Sequence, residues 1–381
     1  VQPDVKPALD WFENKGWEPF AFQREAWAAY QQGFSGLVNA PTGSGKTYSL
    51  LLPILLEGMA RPAPKQAGPL AIWITPIRAL SKEIHISAMR AIEGLGANLT
   101  VGIRTGDTSV RERTRQKERP PDLLITTPES LHLMLAQKNY PQFFARLSAV
   151  VVDEWHELMG SKRGVQMELA LSRLKAITPV LRVWGISATI GNLDQAAEVL
   201  LGVPLPEKRV TVRANIKKPI AIHSILPDEV ETLPWAGHLG IQLLQKVVPI
   251  IKASNSTLIF TNTRSFAEIW YQKLLNEAPE LAGLIAMHHG SISQELRTWV
   301  EEQLYEGKLK AVVCTSSLDL GVDFRPVETI IQVGSPKGVA RFLQRAGRSG
   351  HQPGAVSRIY FLPTHSLELT EAAALREAIH R

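Results

Sequence analysis

The chain has 381 residues, of which 45% are hydrophobic and 20% charged, and its net charge is +6. This composition is ordinary for a soluble globular protein of one large domain or two domains, and the basic excess is compatible with a polyanionic partner. The single cysteine, Cys314, excludes an internal disulfide, and no apolar run reaches the roughly 18 residues that a membrane span needs.

Short β-rich runs, each followed by a polar turn and a helical pattern, recur along the chain. Such alternation predicts parallel sheets covered by helices on both faces. The first set of predicted strands is 36–39, 70–75, 123–126, 149–152 and 182–186. The second set is 257–260, 284–288, 311–314, 329–333 and 357–361.

The two sets of strands predict two α/β domains. A proline-rich stretch between about 200 and 240 is interpreted as a linker plus an entry strand. We expect the first domain over residues 1–205, the second over 206–366, and the start of a further helical region over 367–381. Residues 60–69 and 104–121 are predicted to be surface loops, the second one a solvated loop of mixed charge.

The segment APTGSGKT, residues 40–47, lies between a predicted strand and a predicted helix. Gly43 and Gly45 permit backbone N–H groups to approach an anion, which is the property of a phosphate-binding P-loop. Lys46 is then placed to bridge the outer phosphates, and the Thr47 hydroxyl to bind Mg²⁺. Ala40 replaces the first glycine of the usual pattern, and a chance Gly/Ser/Thr turn is the alternative.

The segment VVVDEWHEL ends a buried strand with two carboxylates and a histidine. Alone it is compatible with a metal site, an acid/base pair or a polar helix start. Beside a P-loop, Asp153 is expected to be the carboxylate that holds Mg²⁺ through water. Glu154 is then the group that orients or deprotonates the attacking water. A zinc site needs three or four ligands, and only His156 is near.

At this point the sequence resembles a superfamily 2 helicase over nearly its whole length. Any one motif is a weak signal, but their joint order is highly specific. The matching segments are APTGSGKT (40–47), TPIRAL (75–80), TPES (127–130), DEWH (153–156), SAT (187–189), IFTNTR (259–264), TSSLDLGVD (315–323) and QRAGRSGH (344–351).

More narrowly, DEWHELMGSKRG, HHGSIS and QRAGRSGH resemble the Lhr (large helicase-related) family, especially its bacterial ligase-associated branch. The resemblance implies two tandem RecA-like domains with ATP in the cleft between them and single-stranded DNA crossing both. It also implies 3′-to-5′ translocation, unwinding of DNA duplexes or RNA:DNA hybrids, and DNA repair. We therefore expect ATP and Mg²⁺ as cofactors, a DNA strand with a 3′ tail and repair proteins as partners, and a monomer in the nucleoid-containing cytoplasm. Family members continue into a winged helix, which leaves strand separation by this segment open.

Gln23 lies where such helicases carry a Q-motif, and its amide is suited to an adenine edge. The alternative is an exposed helix glutamine. Phe20 is interpreted either as a partner of the base or as an ordinary core aromatic. The nucleotide-binding set predicted on this basis is Gln23, Thr42, Gly43, Ser44, Gly45, Lys46, Thr47 and Asp323.

Arg348 is the principal candidate for an arginine that stabilises charge on the γ-phosphoryl, with Arg345 as a supporting contact. The usual motif ends in arginine, whereas this chain has His351, whose role stays open. A solvated surface arginine pair is the alternative. The resemblance implies that Gln344 and His156 bridge the two domains.

The resemblance also implies that Ser187 and Thr189 link hydrolysis to strand contact and that Asp323 contacts the ribose, although a simple strand-end cap is an equal reading for Asp323. The candidate nucleic-acid contacts follow predicted strands, at the edge where open α/β sheets bind ligands. They are Arg78, Thr127, Asn262, Thr263, His289, Ser291 and Thr315. Each one alone is equally well an ordinary turn residue.

These patterns predict a motor core that hydrolyses ATP when it is bound to single-stranded nucleic acid. One alternative is an ATP-switched clamp, which shares every motif; another is an RNA-directed DExH remodeller. A P-loop kinase of small molecules needs no second RecA-like half and is disfavoured.

Overall fold

The computed structural model describes residues 4–62, 68–188, 190–216, 220–228, 239–319, 327–349 and 356–380. The chain divides into two units, Val1–Ile216 and Lys217–Arg381. Each unit has its own parallel sheet, as expected from apolar strands that alternate with helices.

The first unit contains a seven-stranded sheet in its described residues, with the order β3-β4-β2-β5-β6-β1-β7. The strands are β1 (Ser35–Asn39), β2 (Ala71–Ile74), β3 (Val101–Arg104), β4 (Leu123–Thr126), β5 (Ala149–Val152), β6 (Arg182–Ser187) and β7 (Arg209–Arg213). The helices are α1 (Lys6–Asn14), α2 (Ala21–Gln31), α3 (Tyr48–Ala60), α4 (Arg78–Leu95), α5 (Val110–Glu118), α6 (Pro128–Leu135), α7 (Tyr140–Phe144), α8 (Trp155–Leu158), α9 (Lys162–Ile177) and α10 (Leu193–Leu201).

The second unit contains a six-stranded sheet in its described residues, with the order β10-β11-β9-β12-β13-β8. Its strands are β8 (Ile220–Ser224), β9 (Thr257–Phe260), β10 (Ile285–His288), β11 (Ala311–Cys314), β12 (Thr329–Val333) and β13 (Ser357–Leu362). Its helices are α11 (Leu239–Gln242), α12 (Leu244–Ala253), α13 (Arg264–Glu277), α14 (Gln294–Tyr305), α15 (Val339–Ala346) and α16 (Leu367–His380).

Each sheet separates two apolar clusters, because successive strand residues point to opposite faces. In β5, Val151 packs in one cluster and Val150 and Val152 in the other. The second unit repeats this arrangement in β9, where Ile259 and Leu258 belong to different clusters. Both faces are therefore covered, and the ligand-accessible part of each sheet is its carboxyl edge.

All ten predicted strands form, within one or two residues at their ends. β3 and β7 were not predicted, whereas β8 lies in the stretch where an entry strand was expected. β7 pairs with β1 and so belongs to the first unit, which extends past the predicted boundary after residue 205.

Two further expectations differ from the structure. The predicted loop 104–121 contains α5, capped by the Ser109 hydroxyl, which accepts a hydrogen bond from the Glu112 N–H at 3.2 Å. The final helix, α16, lies within the second unit, where Leu375 is buried in its core. Its Glu368 accepts hydrogen bonds from the N–H groups of Ser335 and Thr364.

Cys314 is fully buried, and burial raises the pKa of its thiol well above the ordinary value. Cys314 is therefore a small core residue. Of the helices that the structure describes, none is long and apolar enough to cross a bilayer.

Candidate functional site

The predicted P-loop, residues 40–47, connects β1 to α3. Its start is fixed to the end of β6 by a hydrogen bond from the Ala40 N–H to the Ser187 carbonyl, 3.0 Å long. Gly43 and Gly45 have φ angles of 81° and 70°, a backbone conformation that favours glycine. At Gly45 a Cβ would in addition lie 3.0 Å from Nε2 of Gln23. Both glycines are therefore required by the local backbone.

The remaining loop residues surround this turn. The Ser44 hydroxyl donates to the Pro41 carbonyl at 2.7 Å. Thr47 is half-buried immediately before α3, and its carbonyl accepts the Leu51 N–H at 3.0 Å. Thr42 is also half-buried. The loop thus leads directly into a helix N-terminus, the arrangement that binds phosphate groups in proteins.

The predicted carboxylates lie beside this loop. β5 and β1 flank β6 in the sheet, so their carboxyl ends are close together. Lys46 Nζ donates a hydrogen bond to Oε1 of Glu154. Asp153 Oδ2 accepts from the Trp73 indole at 3.0 Å, and its Oδ1 accepts from the Glu154 N–H at 2.9 Å. We call these three side chains the Lys46–Asp153–Glu154 cluster.

The cluster carries more negative than positive charge. All three side chains are at least nine-tenths buried. Burial, and then the neighbouring Glu154 carboxylate, raise the pKa of Asp153 to about 6, against the lowering effect of Lys46. Such a site favours an added cation.

The residues fit a magnesium ion better than a zinc ion. Within the described part of the chain, no group of three or more His, Cys, Asp or Glu could hold a metal. Magnesium commonly takes one or two carboxylates and completes its shell with phosphate oxygens and water. Asp153 and the Thr47 hydroxyl supply oxygen ligands of that kind.

Glu154 occupies a strained backbone position. Its φ and ψ are 46° and 49°, in the left-handed region that non-glycine residues rarely adopt. Strain of this type is concentrated at functional sites, where the surrounding structure holds it in place. The next residue, Trp155, stabilises this backbone conformation. It is fully buried, and its indole donates a hydrogen bond to the Ala196 carbonyl at 2.9 Å. The sequence had left Trp155 without a role, and the structure makes it the anchor of α8 on α10.

His156 contacts the end of β6. Its Nδ1 lies 2.8 Å from the Ser187 hydroxyl and 3.6 Å from Oε2 of Glu154. Burial lowers the pKa of His156, which favours a neutral ring. Ser187 therefore joins the same site through His156, whereas Thr189 lies outside the described residues.

Gln23 contacts the loop directly. Its Nε2 donates to the Gly45 carbonyl at 2.9 Å, and its Oε1 accepts from the Phe20 N–H at 2.9 Å. Because it is only 2% exposed, the alternative of an exposed helix glutamine is wrong. Phe20 is 44% exposed, so its alternative as a core aromatic is also wrong.

The two nucleic-acid candidates of the first unit follow neighbouring strands. Arg78 begins α4 after β2, is exposed, and pairs with Asp107 at 2.5 Å. Thr127 follows β4 and is buried, with its hydroxyl 3.3 Å from that of Ser130. Both lie at the carboxyl edge of the first sheet.

The candidates of the second unit lie at the corresponding edge of its sheet. After β9, Asn262 donates to the Ser335 carbonyl at 2.8 Å, and the Thr263 hydroxyl caps α13. After β10, His289 is buried 3.5 Å from Glu268, and the Ser291 hydroxyl accepts a hydrogen bond from Arg264. Thr315 follows β11 and is buried.

Arg345 is fully engaged inside the second unit. Its Nε and Nη2 donate to both carboxylate oxygens of Asp319 at 2.7 and 3.1 Å, and its Nη1 donates to Oε1 of Gln332 at 2.6 Å. The guanidinium also lies 4.5 Å from the centre of the Phe260 ring. Arg348 is 8% exposed and donates to the Asp319 carbonyl at 2.8 Å. The alternative of a solvated surface pair is therefore wrong.

Asp319 was not singled out in the sequence. Its signal is its place in TSSLDLGVD, four residues before the aspartate that was chosen. We call the three residues the Asp319–Arg345–Arg348 cluster. Gln344 is buried in α15 with them. Asp323 and His351 lie outside the described residues.

Two family models match the chain. The DEAD/DEAH box helicase model covers residues 20–196, and the helicase conserved C-terminal domain covers residues 240–352. The first match contains the phosphate loop and the carboxylates, and the second contains Asp319 and both arginines.

Individual relatives agree with these models. The ATP-dependent helicase Lhr-Core of Methanothermobacter thermautotrophicus is 36% identical over 90% of this chain and 42% of its own length. The Lhr helicase/uracil glycosylase of Escherichia coli is 33% identical over 99% of this chain and 28% of its own length. The chain thus spans less than half the length of these curated relatives.

A solved structure shows the same fold. The structure of Mycobacterium smegmatis helicase Lhr bound to ssDNA and AMP-PNP superposes with a TM-score of 0.85 at 33% identity, over 98% of this chain and 49% of that one. The tandem RecA-like fold is therefore confirmed. The chain belongs to the superfamily 2 helicases, a family of ATP-hydrolysing enzymes, and within them to the Lhr family.

Proposed function

We propose that this chain is a motor core that hydrolyses ATP when single-stranded DNA is bound and uses the energy to translocate. The observation that carries the proposal is the Lys46–Asp153–Glu154 cluster, in which a phosphate-loop lysine contacts the carboxylate suited to activate water. The Lhr structure bound to ssDNA and AMP-PNP supports the choice of ligands.

The chain's own residues suggest how hydrolysis is controlled. In the structure the Lys46 ammonium pairs with Glu154. An incoming phosphate competes for that ammonium and frees Glu154 to accept a proton from water. Asp153 and Thr47 would hold Mg²⁺, which supplies charge neutralisation at the phosphates.

The sensing of the strand is assigned to the contact between His156 and Ser187. Ser187 lies at the end of β6, next to the phosphate loop, and β6 also pairs with β5, the strand that leads into Asp153. A shift of the polynucleotide-contacting loops is expected to reach Glu154 through this pair. Gln23 donates a hydrogen bond to the Gly45 carbonyl, and we propose that it transmits the binding of adenine to the phosphate loop through this contact.

Arg348 is proposed as the arginine that stabilises the transferred phosphoryl, because Arg345 is already saturated by Asp319 and Gln332. The nucleic-acid contacts, the 3′-to-5′ direction, the unwinding of duplexes or hybrids and the repair role remain proposals from the family resemblance, as does membership of the ligase-associated branch.

The test is ATP hydrolysis by the chain alone, with single-stranded DNA or RNA of equal length and composition. We expect DNA to stimulate the rate at least tenfold and Lys46→Ala to remove the stimulation while strand binding persists. Lys162→Ala, an exposed lysine in α9, is the matched control and should behave as wild type. Stimulation by neither polymer would contradict the motor proposal.

Direction of travel needs a separate measurement. Streptavidin bound to a biotinylated 3′ or 5′ end of the DNA is displaced only by a motor that travels towards it. For 3′-to-5′ travel, displacement occurs at the 5′ end. Stimulated hydrolysis without displacement at either end would favour the ATP-switched clamp.

A further inference from the structure

A pocket of about 520 Å³ lies in the first unit against the edge strand β3. Its walls come from α5, from the end of α6 and from the segment that leads into α7. In the sheet order, β4, β2, β5 and β6 separate β3 from the strand that carries the phosphate loop. At the usual strand spacing this is roughly 24 Å, and β5, which leads into Asp153 and Glu154, lies roughly 14 Å from β3, so the pocket is distinct from the Lys46–Asp153–Glu154 cluster. Its volume is in the range of small-molecule sites.

The charge of the pocket is positive. Arg104, Lys117 and Lys138 line it, and none of its described lining residues is Asp or Glu. Arg104 is only 7% exposed, and its guanidinium has no hydrogen-bond or ion-pair partner in the described chain. Burial, and then the nearby Arg113, lower the pKa of Arg104, so its surroundings do not compensate its charge. A guanidinium without a protein counter-ion at the wall of a pocket is suited to bind an anion.

Part of the lining is apolar and aromatic. Met134, Tyr140 and Phe143 supply it. The Arg173 guanidinium lies 5.0 Å from the centre of the Tyr140 ring, and Phe143 packs edge-on against Phe144 at 5.0 Å. These contacts hold the two rings in place. Amide side chains, among them Gln137, complete the lining with donors and acceptors for a polar ring edge.

We propose that this pocket binds a nucleotide, with its phosphate on Arg104 between Lys117 and Lys138 and its base against Tyr140 and Phe143. Guanidinium is the side-chain group best suited to phosphate, and bases bind to proteins on aromatic faces. This site goes beyond the proposed motor function, because the phosphate loop is at the other end of the sheet. The nucleotide has two sources, a free mononucleotide or one unit of a polynucleotide strand.

The methyl group of Met134 reports on this pocket alone. The chain has six methionines, so methionine-methyl NMR spectra are simple, and Met134→Leu assigns the signal. On titration with dTMP we expect a saturable shift of the Met134 signal. Thymidine and inorganic phosphate, each lacking one half of the ligand, should bind at least tenfold more weakly. An oligothymidylate that binds tighter than dTMP identifies the strand as the source, and one that does not identifies the free nucleotide.

Three variants test the assignment of the phosphate. Arg104→Gln should weaken dTMP binding at least tenfold, because a charge-assisted contact in a buried site is lost. Lys138→Gln, at an exposed position, should weaken it about threefold and decides the question if Arg104→Gln does not fold. Arg111→Gln is the matched control, since Arg111 is exposed on α5 outside the pocket, and should leave binding unchanged.

Three results would overturn the proposal. They are no Met134 shift with dTMP up to about 10 mM, equal binding of dTMP and inorganic phosphate, and unchanged dTMP binding in both folded Arg104→Gln and Lys138→Gln. Each is independent of ATP hydrolysis, so failure here leaves the motor proposal intact, and failure of the motor proposal leaves this one intact.

Discussion

The two units each contain a buried charge cluster, and the two clusters are built in opposite ways. In the first unit, one lysine faces two carboxylates, and the pKa of Asp153 is raised to about 6. In the second unit, one carboxylate, Asp319, binds Arg345 through both oxygens and has Arg341 at 3.6 Å. Its backbone carbonyl accepts a further hydrogen bond from Arg348.

We infer that the first cluster takes part in the reaction and that the second cluster supports the structure around Arg348. The first cluster has an excess of negative charge and a strained Glu154, and therefore gains from a bound cation and phosphate. In the second cluster, Arg345 has an acceptor for each of its nitrogens and an aromatic ring beneath it. We infer that Arg345 and Asp319 shape the loop that presents Arg348, and that stability depends more on the second cluster than on the first.

The largest expected effect on stability comes from Asp319→Asn. This change leaves the buried Arg345 without its carboxylate and should cost about 3–5 kcal/mol. Hydrogen exchange in β9 and β12 measures the loss, which should be confined to the second unit. Asp228→Asn is the matched control, because Asp228 is highly exposed and pairs with Lys246 on the surface. An equal loss of stability in the two variants would contradict the supporting role of Asp319.

A smaller effect is expected from Trp155→Phe. The change removes the indole that donates to the Ala196 carbonyl and should destabilise the first unit by about 2 kcal/mol. Because this side chain holds the strained turn at Glu154, ATP hydrolysis should decrease as well. Trp299→Phe, at a half-exposed position, is the control. Urea unfolding together with ATPase rates gives both quantities, and a loss of stability with full activity would separate Trp155 from the site.

The smallest effect on stability is expected from Arg78→Ala. Its pair with Asp107 is exposed, so the change should alter the free energy of unfolding by less than about 1 kcal/mol. If Arg78 contacts a phosphate, its loss reduces the slope of the logarithm of the single-stranded DNA binding constant against the logarithm of the salt concentration by about 1. Arg115→Ala on α5, which loses another surface pair, with Glu112, should leave that slope unchanged.

Apolar periodicity was sufficient to predict the strands that form the centre of each sheet. β3 and β7 were missed because they are edge strands with only partial burial, such as VGIR and RVTVR, whose apolar signal is weak. The charged stretch at 104–121 has the composition of a loop, yet the Ser109 cap is enough to begin α5. Edge strands with a weak apolar pattern, and helices with the composition of a loop, are therefore the elements that the sequence alone does not predict.

The part of the site that lies within recognisable motifs was predictable. Lys46, Asp153 and Glu154 come together as their motifs imply. The partners of these residues were not predictable, because they come from distant positions: Trp73 on Asp153, Ser187 on His156, and Asp319 on Arg345. Such contacts depend on strand order, which local sequence does not contain.

The central claim is that Glu154 activates water beside a phosphate held by Lys46. Single-turnover ATP hydrolysis by Glu154→Gln, with single-stranded DNA bound, tests it most directly, and Glu168→Gln, an exposed glutamate in α9, is the control. We expect the hydrolysis rate to fall about 10²–10⁴-fold, the contribution of a general base, while ATP affinity changes by less than about threefold. A rate within about tenfold of wild type would contradict the account.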